Sequence, residues 1–168
     1  MNFRAIKRQR VDSGIPSSFA PRRVARPIEK KIWAVPISET IAGTQQDETF
    51  FTCTYPVTIT GLRWDLSFLA TAGTAPATYA WAIVRVPSGS SVETMDYNSG
   101  TFYSDEANVL SWGIGLLCPS DTPDTARYTS STKAMRKMKG GDTLHFIYVG
   151  EATNTVGIAG GIQWFEKS

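Results

Sequence analysis

The sequence is poor in the residues that enzymes use for acid–base, nucleophilic and metal chemistry. It contains one histidine, His145, and two cysteines, Cys53 and Cys118, in 168 residues. A single histidine leaves no base for Ser-His-Asp catalysis unless His145 is itself that base. No G-x-S-x-G elbow, phosphate-binding loop or His/Cys cluster occurs. The carboxylates of residues 105–106 and 121–124 are interpreted as solvated turn residues rather than a cation site. We therefore expect no catalytic residue, no metal ligand and no cofactor.

Long apolar runs are missing as well. No window approaches the ~18 consecutive apolar residues that cross a bilayer, and no apolar segment of signal-peptide length follows the first cations. The two cysteines lack C-x-x-C spacing and lie in apolar, strand-like runs, so we predict that both are buried, reduced thiols. These absences predict a protein that has no membrane partner and depends on no disulfide.

Positive charge is concentrated at one end of the chain. The first 31 residues carry nine cations against two carboxylates, a balance of +7, whereas the whole chain is +2, so the remainder carries −5. Pro16, Pro21 and Pro27 prevent a long helix there. A block of like charge on an extended segment is typical of nucleic-acid-binding tails. We therefore assign residues 1–31 as a basic N-terminal arm. The predicted nucleic-acid contacts are Arg4, Lys7, Arg8, Arg10, Arg22, Arg23, Arg26, Lys30 and Lys31.

Residues 32–168 have the composition of one all-β domain. Short runs of β-branched and aromatic residues are separated by clusters of Gly, Pro, Asn, Asp and Ser. About eight strands are predicted by this pattern, near residues 31–37, 48–55, 57–69, 78–87, 109–118, 127–139, 143–150 and 155–166. A helical turn is predicted at 103–108, with Ser104 as its N-cap. Strands without helical crossovers favour a jelly roll, two packed antiparallel sheets, over an immunoglobulin-like sandwich.

Residues 133–139 form a second basic cluster. Read as one strand, Lys133, Met135, Lys137 and Lys139 share a face, and Gly140 with Gly141 then forms a tight hairpin. Its cations either extend the binding surface of the arm or protect an edge strand from aggregation. Further on, the glycines within residues 157–161 suggest a bulge or a close approach of two backbones.

Several segments of the C-terminal two thirds of the chain carry a family resemblance. They lie at residues 131–147, 152–155 and 161–168, and further upstream at 61–64, 79–84 and 108–110. Over most of residues 57–168 the chain resembles capsid proteins of small circular Rep-encoding single-stranded DNA (CRESS-DNA) viruses.

This resemblance implies a viral structural protein rather than an enzyme. It implies a single jelly-roll domain that self-assembles, in about 60 copies, into the smallest (T=1) icosahedral shell around single-stranded DNA, with the basic arm facing the genome. The expected location is the virion, and the arm's basic runs also suit import into the host nucleus. Two alternatives stay open: a satellite-type RNA virus coat protein, and a non-viral β-sandwich that binds nucleic acid or carbohydrate on exposed tryptophans.

Overall fold

The computed structural model describes residues 28–35, 45–96, 102–133, 135–150 and 156–167. Along most of the predicted runs, apolar side chains recur at every second position, so most strands bury one face; the central strands β4 and β8 are buried on both faces. The strands are β1 (Ile28–Val35), β2 (Gln46–Thr52), β3 (Val57–Ala70), β4 (Ala77–Val86), β5 (Val109–Leu117), β6 (Asp124–Thr132), β7 (Arg136–Met138), β8 (Thr143–Gly150) and β9 (Val156–Lys167).

These strands form two antiparallel sheets packed face to face. The five-stranded sheet has the order β1-β9-β3-β6, with β7 also pairing to β3, and the four-stranded sheet has the order β2-β8-β4-β5. The first and last strands are neighbours, and the chain crosses repeatedly between the sheets. This strand order is that of a jelly roll. The predicted fold class is therefore confirmed.

Aromatic rings from both sheets fill the space between them. Phe68 of β3 stacks on Tyr79 of β4 with ring centroids 4.4 Å apart, and Trp64 meets Trp81 edge-on at 6.1 Å. Beside these rings, β5 faces the interior with Gly113 and Gly115, because a Cβ at Gly113 would lie 2.6 Å from the Trp81 indole nitrogen. Such close packing of large rings joins the two sheets into one core.

Gly160 is the glycine whose backbone the fold constrains most directly. It lies opposite Leu66 in the pairing of β9 with β3, at a φ of +142°. A Cβ there would lie 1.9 Å from the carbonyl oxygen of Asp65. The close backbone approach predicted for this glycine-rich run is therefore present.

Replacing Gly160 by alanine is expected to lower the free energy of unfolding by about 3 kcal/mol or more, because both the positive φ and the clash must be relieved. Gly157→Ala is the matched control on the same strand, since its Cβ would lie 3.9 Å from the nearest atom. Urea denaturation of both variants measures the difference. Equal losses of stability would contradict this account of β9.

The structure corrects the predicted strand across residues 127–139. The chain forms two strands there, β6 and β7, and residues 133–135 lie between them. The four-residue face predicted at Lys133, Met135, Lys137 and Lys139 is therefore not formed. Because β7 pairs with β3 while β8 belongs to the other sheet, residues 139–142 form a turn between sheets, not a hairpin. Met138, the last residue of β7, pairs with Val57 and is buried in the core immediately before the chain changes sheets.

Two local predictions were also wrong. Asp105, not Ser104, precedes the 3₁₀ turn Glu106–Asn108, and no side chain caps that turn. Instead the Asp105 carboxylate accepts a hydrogen bond from the side-chain amide of Asn108. Cys53 is buried as predicted, with its thiol donating to the Tyr55 carbonyl at 2.9 Å. Cys118 is exposed, because it follows the end of β5 and lies outside the core.

Candidate nucleic-acid and assembly surfaces

Two of the nine predicted nucleic-acid contacts lie within the described residues. Lys30 and Lys31 are neighbours on β1, so their side chains point to opposite faces of the sheet. Lys31 lies 2.9 Å from Glu29 and 3.7 Å from the buried Glu166, and its hydrogen bond with Glu29 raises its pKa. Its charge is thus balanced within the protein, while Lys30 points outward. Arg4, Lys7, Arg8, Arg10, Arg22, Arg23 and Arg26 lie outside the described residues.

The outer face of the five-stranded sheet collects cations from four strands. In β3 and β9 the core side chains alternate with exposed or half-buried ones, which places Arg63 and Lys167 on this outer face. Lys30 of β1 and Lys137 of β7 join them through the strand pairing. We call Lys30, Arg63, Lys137 and Lys167 the basic face. All four are exposed, and none has an ion pair within the part of the chain that the structure describes.

A fifth cation on this sheet is already neutralised. The guanidinium of Arg127 donates two hydrogen bonds to the Asp65 carboxylate, at 2.8 and 2.6 Å, and the Thr129 hydroxyl donates a third at 3.1 Å. The hydrogen bond from Arg127 lowers the pKa of Asp65. Among the described strand residues, Asp65 is the carboxylate that points outward here, and it is used by Arg127. The basic face therefore keeps its positive charge.

A shallow groove crosses one end of the basic face. Thr58 of β3 pairs with Lys137 on one side and with Lys167 on the other, so the three residues lie side by side on adjacent strands. The groove has a volume of about 480 Å³, and Met135, whose side chain is 72% exposed, also lines it. Its walls therefore combine two ammonium groups with an apolar side chain.

The four-stranded sheet presents a different outer face. Part of β4 is covered by the segment between β4 and β5, where Met95 and Tyr103 pack on Ala82 and Val84 in a second small core. Beside this core, the ring of His145 meets the Thr143 hydroxyl at 2.8 Å and the Asp47 carboxylate at 3.2 Å. The single histidine thus belongs to a polar network on β8.

The outer face of the neighbouring strand β5 is largely exposed. Trp112, Ile114 and Leu116 point outward from it with 58%, 42% and 58% of their area exposed. We call these three residues the apolar stripe. Phe102 extends it, with its ring centroid 5.2 Å from that of Trp112. Because β5 is the last strand of its sheet, its outer backbone edge has no partner among the described strands.

The remaining candidates from the sequence have structural roles. The Asp124 carboxylate accepts a hydrogen bond from the Cys118 amide at 2.7 Å, which shapes the loop after β5. No cluster of three or more metal-ligating side chains occurs within the described ranges. Trp64, Trp81 and Trp164 are buried and Trp33 packs against the same core, which leaves Trp112 as the exposed tryptophan of this set. In the described part of the chain, no helix has the length and apolar character of a membrane span.

Together these features define a jelly-roll domain with a basic outer sheet face and an apolar edge strand. No family model matches the chain, and no curated protein matches it. Among solved structures it is similar to a chain of the T13 IBDV viral particle, at 8% identity and a TM-score of 0.47, covering 84% of this chain and 31% of that one.

Two further solved structures are similar to the chain at comparably low sequence identity and TM-score. A Desmodium yellow mottle tymovirus chain gives 13% identity and a TM-score of 0.33, with 83% of this chain and 87% of that chain covered. A chain of Bacillus endospore appendages, described as disulfide-linked pili, gives 13% and 0.37, with 85% and 91% covered. The chain therefore spans about a third of the IBDV chain, and its fold assignment depends on its own strand order.

Proposed function

We propose that this protein is the capsid subunit of a small single-stranded DNA virus. The observation that carries the proposal is a jelly roll whose first strand contains the last residues of a basic arm and contributes to a basic sheet face. Jelly rolls build viral shells, lectins and cupins. Of these three, a shell around a polyanion is the one that uses a cationic leader and a cationic face together.

Self-assembly is supported by the apolar stripe. Three large apolar side chains on an edge strand form the kind of patch that soluble monomers avoid and that subunit interfaces bury. The occupant we propose is a second copy of this chain, repeated by symmetry into a T=1 shell of about 60 copies. The mature protein is then located in the virion, and the host nucleus is a site of its assembly.

The arm is proposed to bind the genome without sequence preference. Lysine and arginine that neutralise phosphates release counterions, so binding of this kind weakens steeply as salt rises. The proposed contacts are the arm cations predicted from the sequence, beginning with Arg4, Lys7 and Arg8. The exposed-tryptophan module is the weaker reading, since the described tryptophans other than Trp112 belong to the core.

Deleting residues 2–26 is expected to leave the β domain folded and to remove nucleic acid from the purified particles. Circular dichroism measures the first outcome, and the nucleic acid extracted per milligram of protein measures the second. Digestion of the extract by DNase rather than RNase separates single-stranded DNA from the satellite-type RNA alternative. Full packaging by the deletion variant would count against the proposal.

A further inference from the structure

We propose that the basic face is itself a binding surface for single-stranded nucleic acid, and that the groove between Lys137 and Lys167 receives one nucleotide. This inference rests on the proposed function and extends it from the arm to the folded domain. It predicts genome contacts at Arg63, Lys137 and Lys167, none of which the basic arm contains.

The groove has the size and chemistry that a nucleotide requires. Lys137 and Lys167 lie on either side of Thr58, two strand spacings apart, so their Cα atoms are separated by roughly 10 Å. Two ammonium groups at that spacing can both reach a phosphate held above Thr58. Met135, exposed along the same groove, offers an apolar surface to the base or sugar.

The cations of this face are free to bind an external anion. Arg127 is the contrasting case, since its guanidinium donates two hydrogen bonds to the Asp65 carboxylate and its charge is thereby balanced. Lys137, Lys167 and Arg63 form no ion pair among the described residues and stay exposed. Arg63 also lowers the pKa of Asp65 by its charge, but that carboxylate is hydrogen-bonded to Arg127. An anion that binds them replaces no existing ion pair, which favours its association.

Apolar side chains between the cations favour a single strand over a duplex. Phe165 lies directly beside Lys30 in the strand pairing, and Ile32 lies in the next outward position of β1. Unpaired bases expose faces that stack on aromatic and apolar groups, whereas a duplex presents only its phosphates to a flat sheet.

The position of the arm makes the surface continuous. Ile28, the first residue of β1, pairs with Lys167, and Lys167 and Lys137 flank Thr58 on the next strand. The arm therefore joins the domain at the same end of the sheet as the groove. In about 60 copies, arms of +7 supply roughly 400 charges, and the three cations of each basic face that lie outside the arm add about 180 more.

The test compares two full-length variants with the same change of charge. One carries Arg63→Gln, Lys137→Gln and Lys167→Gln, and the control carries Lys133→Gln, Arg136→Gln and Lys139→Gln. Binding of an oligo(dT) strand to dilute subunits is measured by fluorescence anisotropy across a salt series. Thermal melting checks that both variants keep the parental fold.

The basic-face variant is expected to bind roughly 100-fold more weakly at about 0.1 M salt, with the slope of log K against log salt reduced by about 2. The control should keep the parental slope to within about 1. Parental binding by the basic-face variant would overturn this inference. An equal loss of affinity for a duplex of the same length would overturn its single-strand part.

A variant with Arg4→Gln, Lys7→Gln, Arg8→Gln and Arg10→Gln keeps the two proposals distinguishable. If this variant loses binding while the basic-face variant does not, the inference is wrong and the proposed function stands. If the parental protein itself fails to bind oligo(dT), the proposed function fails, and the inference fails with it.

Discussion

A variant with Ile114→Lys and Leu116→Lys is expected to stay monomeric, at the 18.4 kDa of the single chain, under conditions in which the parental protein forms particles. Both side chains are largely exposed on β5, so lysine fits there without entering the core. A charge buried between two subunits without a partner costs several kcal/mol, and each contact is repeated by the symmetry of the shell.

Size-exclusion chromatography with light scattering measures this effect. Leu69→Lys is the matched control, because Leu69 is an exposed leucine of similar area on the other sheet, away from β5. The control should assemble. Particles of parental size from the β5 variant would show that the apolar stripe is not an interface.

Replacing Asp142 by alanine is expected to lower the free energy of unfolding by about 3–5 kcal/mol. Its buried carboxylate accepts hydrogen bonds from the backbone amides of Ser88 and Lys139, at 3.0 and 2.9 Å, and from the Arg85 guanidinium at 2.8 Å. The carboxylate therefore ties the turn between the sheets to the end of β4. Without it, two amides and a guanidinium lose their shared partner.

Asp65→Ala is the control for this variant. It also breaks an arginine–carboxylate pair, but that pair is exposed to solvent on both sides, so little or no stability should be lost. Urea denaturation at neutral pH compares the two. A loss at Asp142 no larger than that at Asp65 would contradict the structural role given to the buried carboxylate.

The stability that Asp142 contributes is expected to depend on pH, and the sign follows from its pKa. Burial alone would raise the pKa of Asp142, but the hydrogen bonds from Lys139, Ser88 and Arg85 outweigh it and lower that pKa. A carboxyl with a lowered pKa in the folded state contributes stability above its unfolded pKa of about 3.9. That contribution to stability is lost as the pH falls through the pKa of Asp142 in the folded state. The gap in stability between the parental protein and Asp142→Ala should therefore shrink in acid.

The strands were predictable because their signal is local. The alternation in residues 78–87 and 143–150 specifies which side chains face the core, and the structure places β4 and β8 there. The break between β6 and β7 was not predictable, because Met138 is drawn into the core by pairing of β7 with β3, far away in sequence. Propensity alone does not report such long-range pairing.

The candidate surfaces were predictable only in part. Lys137 belongs to the cluster identified from composition, but its position beside Lys167 depends on both residues pairing with Thr58. The apolar stripe did leave a local signal, since Trp112, Ile114 and Leu116 alternate with glycine and serine. The packing of the segment between β4 and β5 determines which face of β5 is covered. The sequence pattern does not encode that packing.

In this account, jelly-roll subunits assemble with copies of themselves around a polyanion that their cations bind. The most direct test is the mass of the native assembly, measured together with its absorbance at 260 and 280 nm. We expect closed particles of roughly 1.1 MDa of protein, from about 60 chains of 18.4 kDa, with absorbance greatest at 260 nm. A monodisperse monomer whose absorbance is that of protein alone would contradict the account.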